Sequence, residues 1–343
     1  MNLNQVCKRI LPAPVVTWIR HSRLRLWELS LSQANRFAKY YARPTSRGKV
    51  QIESQLMFNV HQVEKGLSHS NIRLGFGQRA LRELSGHMQR LQQVDSSYAS
   101  NPLYREALTV LGQYEQRHRE SGFDLKPMHS LFPESIRNEI SEIGSNQVIA
   151  QERTQSQQHT YRPEFFELVN NRHAVREFSQ QQVTISELNE VVGVAVKSPS
   201  VCNRQSTRVH IILGNDKIQQ ALRIQGGLNG YPTPPALVLI TADLRAFLGQ
   251  NERNQGYVDG GLFAMTFLYG LEAKGLAACP LHTMFPASDS AKTRKLLNIP
   301  ENEILIMFIA VGHFLDSVPV CRSKRYSADH ITSVIDMSSE SVS

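Results

Sequence analysis

Cysteine is scarce in this chain of 343 residues, and the four present (Cys7, Cys202, Cys279 and Cys321) lie far apart without a CxxC pair. That scarcity excludes a disulfide framework and a thiolate zinc site, and since the histidines show no ligand spacing either, no metal is expected. A reducing, cytoplasmic setting follows. Missing too is any apolar run of about 18 residues, which excludes an integral membrane span. The one early apolar stretch is broken by Pro12 and Pro14, so neither a cleavable signal nor an anchor is expected. Neither a GxxxxGK[ST] loop nor a GxGxxG fingerprint occurs, which removes the P-loop and Rossmann routes to nucleotide binding.

Acidic residues are nearly absent from the first fifty positions, where ten Lys or Arg face Glu28 alone. The formal charge of +8 therefore belongs to the N-terminus, because the remaining 28 basic and 29 acidic residues almost cancel. Trp18, Ile19, Leu24, Leu26, Trp27 and Leu29 are interleaved with these arginines. Two readings of this helical segment stay open: a solvated helix packed on the next domain, and a helix lying peripherally on an anionic membrane or acidic partner. No base-reading module accompanies the charge, so nucleic acid is not an expected partner.

What is present divides into two halves. Residues 51–119 have helical periodicity, with Leu81, Leu84, Met88 and Leu91 on one stripe and Tyr104, Ala107, Leu108, Leu111 and Tyr114 on another. HQVEKGL (61–67) and RLGFG (73–77) read as a glycine-punctuated connection between helices. The polar run IAQERTQSQQHT (149–160) reads as a linker. Beyond it, Thr184 and Glu187 form a capping box ahead of Leu188, Val191, Val192 and Ala195. Strands are predicted over 208–213, 236–241 and 303–312, with a long helix over 257–273 that stops at Gly275. The expected organisation is a basic segment (1–50), a helical domain (51–148), a linker (149–160), an α+β domain (161–333) and a disordered tail (334–343).

Four segments of the second half carry chemistry-bearing residues: RHAVREF (172–178), SPSVCNRQ (198–205), ACPLHTM (278–284) and SKRY (323–326). Paired arginines in a short loop suit a phosphate or the N–C=O edge of a heteroaromatic ring. The four segments occur in order with a helix, two strands, a long helix and a Gly312-His313 strand end between them. Over residues 157–331 this pattern resembles the nitroreductase family of flavoenzymes. The resemblance implies an α+β fold with a central mixed sheet flanked by helices, preceded here by a mainly helical N-terminal domain.

The resemblance also implies a cofactor, FMN, with NADH or NADPH as reductant, and a homodimer with flavins at its interface. Carried over by residue, Arg172 corresponds to a phosphate ligand, Arg176 to the basic residue near flavin N1 and O2, and His173 to another contact. Ala174 stands where the family often has Ser. Pro199, Ser200 and Asn203 correspond to contacts from the other subunit, with Gln205 supporting the turn. Pro280, Leu281, His282 and Thr283 correspond to a loop whose backbone N–H groups face flavin N5. Arg325 corresponds to a closing phosphate arginine, with Arg322 or Lys324 as its companion. Two readings of His282 stay open, an acid near the ring and a structural histidine, whereas Cys202 and Cys279 lack an activating partner for thiol catalysis.

The expected function is hydride transfer from NAD(P)H through FMN to an unidentified acceptor in a ping-pong cycle. HQVEKGL with RLGFG resembles the helical extension of nitroreductase-like proteins associated with bacterial surface-polysaccharide synthesis, where His61, Glu64 and Lys65 stand out. The alternative is a non-catalytic flavin-binding or accessory protein of a membrane-associated polysaccharide assembly system. Ala174 and the Pro232-Thr233-Pro234-Pro235 stretch count mildly toward that alternative.

Overall fold

In the computed structural model the described residues are 23–68, 72–143, 162–321, 323, 325 and 327–335. The predicted linker 149–160, the basic residues Arg322 and Lys324, and most of the tail lie outside them.

The alternating strands of the second half build a sheet covered on both faces. β1 (Thr207–Ile212), β2 (Ala236–Asp243), β3 (Leu276–His282) and β4 (Glu303–His313) stand in the order β1-β2-β4-β3. All three pairings are antiparallel, so among the described residues the sheet expected to be mixed has no parallel pair. Ala236, Val238, Ile240, Ile309 and Val311 point to one side, against α8 (Ile185–Ala195) and α10 (Gln255–Ala273). Leu237, Leu239, Phe308 and Ala310 point to the other, with residues of α9 (Asn215–Gln225) and the chain around α11 (Ala287–Leu297). Each fully buried aliphatic side chain of this kind contributes about 1.5–3 kcal/mol, which is why β2 reads as a continuous apolar run.

Local signals set the helix ends. The Thr184 side chain accepts from Glu187 N while the Glu187 carboxylate accepts from Thr184 N, the capping box expected for α8. Helix α10 gives way after Ala273 to a left-handed Gly275.

The first half has its own core. α2 (Lys49–Leu67), α3 (Gln78–Val94), α4 (Pro102–Glu120), the single turn α5 (Lys126–His129) and α6 (Glu134–Ile143) bury Leu56, Val60, Leu81, Leu84, Met88, Tyr104 and Leu111 between them. α1 (Arg23–Tyr40) does not join that core. Its Phe37 ring stacks 6.4 Å from Phe247, and Ala42 N donates to Phe247 O at 2.7 Å, so the end of the basic segment docks on the second half. Trp27 and Leu31 on the same helix remain exposed. No helix among the described residues is long and apolar enough to cross a membrane. α7 (Arg162–Asn171) leads into the arginine segment, and a final turn, α12 (Ala328–Ile331), closes the described chain.

HQVEKGL proves not to be a connection. It forms the last two turns of α2, and only 73–77 makes the turn, with Gly75 and Gly77 both left-handed. Gly66 serves close approach rather than bending: a Cβ there would lie 1.9 Å from the Phe76 ring, which packs at 5.0 Å on Tyr114. His61 Nδ1 and Glu64 Oε2 pair at 3.1 Å, half-buried, while Lys65 is exposed. Gly→Ala at an unobstructed helix position stabilises; at Gly66 overpacking should dominate, and Gly66→Ala is expected to cost about 1–3 kcal/mol in urea unfolding. A stabilised variant would show that Phe76 yields without cost.

Candidate functional site

Two of the four segments singled out in the sequence, 172–178 and 278–284, meet at the β3 edge of the sheet, and Cys321, just ahead of the third, reaches the same place. Val175 N donates to Ala278 O at 2.9 Å and Ser179 N to His313 O at 3.0 Å, so residues 172–179 lie alongside β3 and cross toward the end of β4. Gly312 makes this approach possible, since a Cβ there would stand 2.6 Å from Phe178 Cβ. Val175 and Phe178 anchor the segment in the core, leaving Arg172, His173, Ala174 and Arg176 half-buried at its surface.

The charges at this edge are close enough to sense one another. Arg176 Nη1 reaches Ala174 O at 3.4 Å and Cys321 Sγ at 3.6 Å, which brings the C-terminal segment to the arginine loop. Burial pushes the Cys279 thiol up, with Arg176 opposing. Burial likewise raises the Glu272 carboxyl, against the nearby charges of Arg172 and His173. His173 Nδ1 and Asn171 O lie 2.7 Å apart. Arg325 is exposed and donates through Nη1 to Ser323 O, the carbonyl of a left-handed residue.

Residues 278–282, expected in a loop, are strand: Ala278 to His282 pair with Val311 to Met307 of β4. A proline is tolerated there because β3 is an edge. Ala278 O already points outward to Val175, so by strand alternation the positions of Pro280 and His282 also face outward, and Leu281 faces β4. Pro280 has no N–H to offer, which leaves His282 as the outward-facing backbone donor at this end of the strand. The His282 ring has a local role, with Met284 N donating to its Nδ1 at 3.3 Å, and Thr283 Oγ1 sits 2.9 Å from Ile306 O.

The fourth segment lies elsewhere. Residues 198–205 lead into β1, and two strands separate β1 from β3, a span of about 14 Å from the usual strand spacing. The loop is strained: Cys202, Asn203 and Gln205 all have positive φ, at 47°, 53° and 48°. Such conformations cost of order 1–3 kcal/mol each and persist only where surroundings dictate them. Here they do. The Asp259 carboxylate accepts from Val201 N at 3.3 Å, Ser200 Oγ accepts from Gln205 N at 3.0 Å, and Ser198 Oγ bonds Thr266 Oγ1 at 2.7 Å. Arg204, with a fully buried side chain, grips Glu252 through Nη2 and Nη1 at 2.6 and 2.9 Å and lies 5.8 Å from the Phe247 ring. Pro199, Asn203 and Gln205 are presented at the surface.

The Arg204–Glu252 pair and Asp259 were not identified from sequence as part of the site, although Arg204 sits inside the motif. Nothing local marks Glu252 as the partner of Arg204, 48 residues away, or Asp259 as the acceptor for Val201 N, 58 residues away. Burial would raise the Glu252 carboxyl, but Arg204 and the Leu248 and Gly249 N–H groups outweigh it and hold it below the usual range. A depressed carboxyl contributes stability that is complete above its unfolded value of about 4.3 and is lost as pH falls through the lower folded value. Glu252→Gln is expected to cost about 3 kcal/mol at neutral pH, because Arg204 keeps a buried charge, and to flatten this acid limb in thermal unfolding. An unchanged acid limb would mean the pair does not hold the loop.

Set beside known proteins, residues 169–313 match the family model described as the nitroreductase family, a span of less than half the chain. The fold of the second half is nitroreductase-like. Among curated proteins, MhqN of Bacillus subtilis, provisionally named an NAD(P)H nitroreductase, is 23% identical over 43% of this chain and 88% of its own length. Pig iodotyrosine deiodinase 1 is 24% identical over 44% of this chain, which spans 61% of that protein, less than two thirds of it. A crystal structure of the provisionally named B. subtilis nitroreductase YdfN superposes with a TM-score of 0.45 at 21% identity, covering 50% of this chain and 99% of that one.

Proposed function

We propose that the chain is an FMN-dependent oxidoreductase using NADH or NADPH, in which each flavin lies between the β3 edge of one subunit and the 198–205 loop of a second copy. The observation that carries this reading is the division of the motif residues between two opposite sheet edges: Arg172 and Arg176 lie with β3, where Cys321 also reaches Arg176, while Ser200 and Asn203 are held at β1. One chain supplies two half-sites, and a two-fold dimer completes both with the same residues.

The residues fit this cofactor. Arg172 beside the open edge and the exposed Arg325 are guanidiniums suited to a phosphate. Arg176, half-buried and tied to the Ala174 carbonyl, places a fixed positive charge where an anionic ring edge is stabilised. Gly312 keeps the arginine segment against the sheet, and the His282 N–H can donate toward a ring edge. When bound, FMN supplies hydride acceptance from NAD(P)H and electron delivery to a second substrate in a ping-pong cycle. The protein positions, charges and shields; few side chains need touch the acceptor.

The similarity to iodotyrosine deiodinase 1 favours a second reading of the acceptor, a halogenated phenol in place of a nitroaromatic or quinone. A place in surface-polysaccharide assembly is carried by HQVEKGL and RLGFG alone. The chain's position relative to a membrane rests on α1, whose Trp27 and Leu31 are exposed, and it is taken as cytoplasmic with peripheral contact through that segment.

The test is the absorption spectrum of the purified protein before and after anaerobic NADH or NADPH, beside the double variant Arg172→Ala/Arg325→Ala. A yellow protein releasing FMN, bleached by reductant and colourless in the variant, is the expected result. A colourless protein that FMN does not reconstitute would overturn the enzyme reading and favour the accessory one.

A further inference from the structure

A cavity of about 540 Å³ opens between α1, the start of α10 and the ends of β3 and β4. That volume is within the range of small-molecule sites. Its wall is aromatic and cationic at once. Phe37, Tyr257 and Phe285 line it, and three guanidiniums, Arg36, Arg253 and Arg294, face one carboxylate, Glu301. Arg36 meets Glu301 at 3.4 Å, and both are partly exposed.

Arg294 is the unusual member. It is only 5% exposed, and its Nη1 and Nη2 are spent on Pro300 O and Glu303 O at 2.7 and 2.6 Å. Its Nε is buried without a partner among the described residues. A buried donor left unpaired costs free energy, and more so on a charged group. Burial, then the positive charge of Arg36, pushes the Arg294 guanidinium below its ordinary range. Burial raises the Tyr257 hydroxyl while Arg36 and Arg294 oppose it, so both arginines act on the same aromatic wall. The cavity lining thus holds three guanidiniums to one carboxylate, Glu301, among the described residues.

We propose that this cavity binds a planar aromatic carboxylate, its ring against Tyr257 and Phe285 and its anion facing Arg36 and Arg253, with the buried charge of Arg294 behind them. Guanidiniums recognise a carboxylate by charge-assisted hydrogen bonds, and the flat wall accepts a ring. The cavity lining includes His282, whose N–H is assigned above to the proposed flavin, so the pocket would select the acceptor. That role as acceptor pocket rests on the flavin reading, whereas the anion site itself rests on the arginines. The N-terminal helix α1 then has a function at the site: Arg36 and Phe37 form one wall of it.

The test is calorimetric titration of the full chain with para-nitrobenzoate and with nitrobenzene, which share the ring and differ in the anion. Para-nitrobenzoate is expected to bind about tenfold tighter or better, and added salt to reduce that preference. Arg36→Gln/Arg253→Gln, both at partly or fully exposed positions, should keep the wild-type unfolding temperature and lose the preference. Arg253→Lys should recover part of it over Arg253→Gln. Equal affinities in the wild type, binding of neither compound, or a preference that survives the double substitution would overturn the inference. Anion preference in a protein that holds no FMN would defeat the flavin reading alone; normal flavin reduction without anion preference would defeat only this one.

Discussion

A four-stranded sheet whose two edge strands cannot touch is the constraint on which the site depends. With β1 and β3 outermost, whatever is built on one edge is separated from the other by the full width of the sheet. The arginine segment can lie against β3 because Gly312 has no side chain to hold Phe178 away. The strained loop at β1 can keep its shape because Arg204, Glu252 and Asp259 bind it from inside the same chain. Both edges are therefore preformed, and the energetic cost of their shape is met within the fold rather than by a ligand. No rearrangement short of unfolding the sheet would bring the edges together, which is why the proposed site takes its second half from another copy.

Elements with strong local signals were legible in the sequence. The Thr184–Glu187 capping box, the α10 stop at Gly275 and the apolar β2 and β4 runs depend on neighbours in the chain, and the structure has them where periodicity put them. Glycine was harder to read. In HQVEKGL it was taken as a turn, whereas Gly66 is a flat spot on a helix for the Phe76 ring, and nothing within seven residues distinguishes the two uses. The family resemblance alone makes residues 280–283 a loop, whereas most of them belong to strand β3; an edge strand tolerates Pro280, but edge position is a property of the sheet. The motif residues of the site could be named in advance, while the ion pair that shapes their loop could not.

The two halves of the chain are joined through the end of the basic segment. Arg43 O and Ala42 O accept from Gln55 Nε2 of α2, and Ala42 N reaches Phe247 O. Phe247 in turn lies against both Phe37 and Arg204. A continuous series of contacts thus runs from α1 through Phe247 to the strained loop, and the charge concentrated in the first fifty residues enters the site region through Arg36. The end of the helix is packed on the next domain, as one of the two readings of the composition has it, and Trp27 and Leu31 are exposed.

The most direct test of the divided site is FMN binding by mixed dimers. Arg172→Ala and Asn203→Ala chains, each binding little flavin alone, would be co-refolded in equal amounts and titrated with FMN. If each flavin uses Arg172 of one subunit and Asn203 of the other, heterodimers carry one intact site, and the mixture should recover about a quarter of wild-type binding. No recovery above the separate variants, with heterodimers demonstrably formed, would place both residues in the same subunit's site and contradict the account.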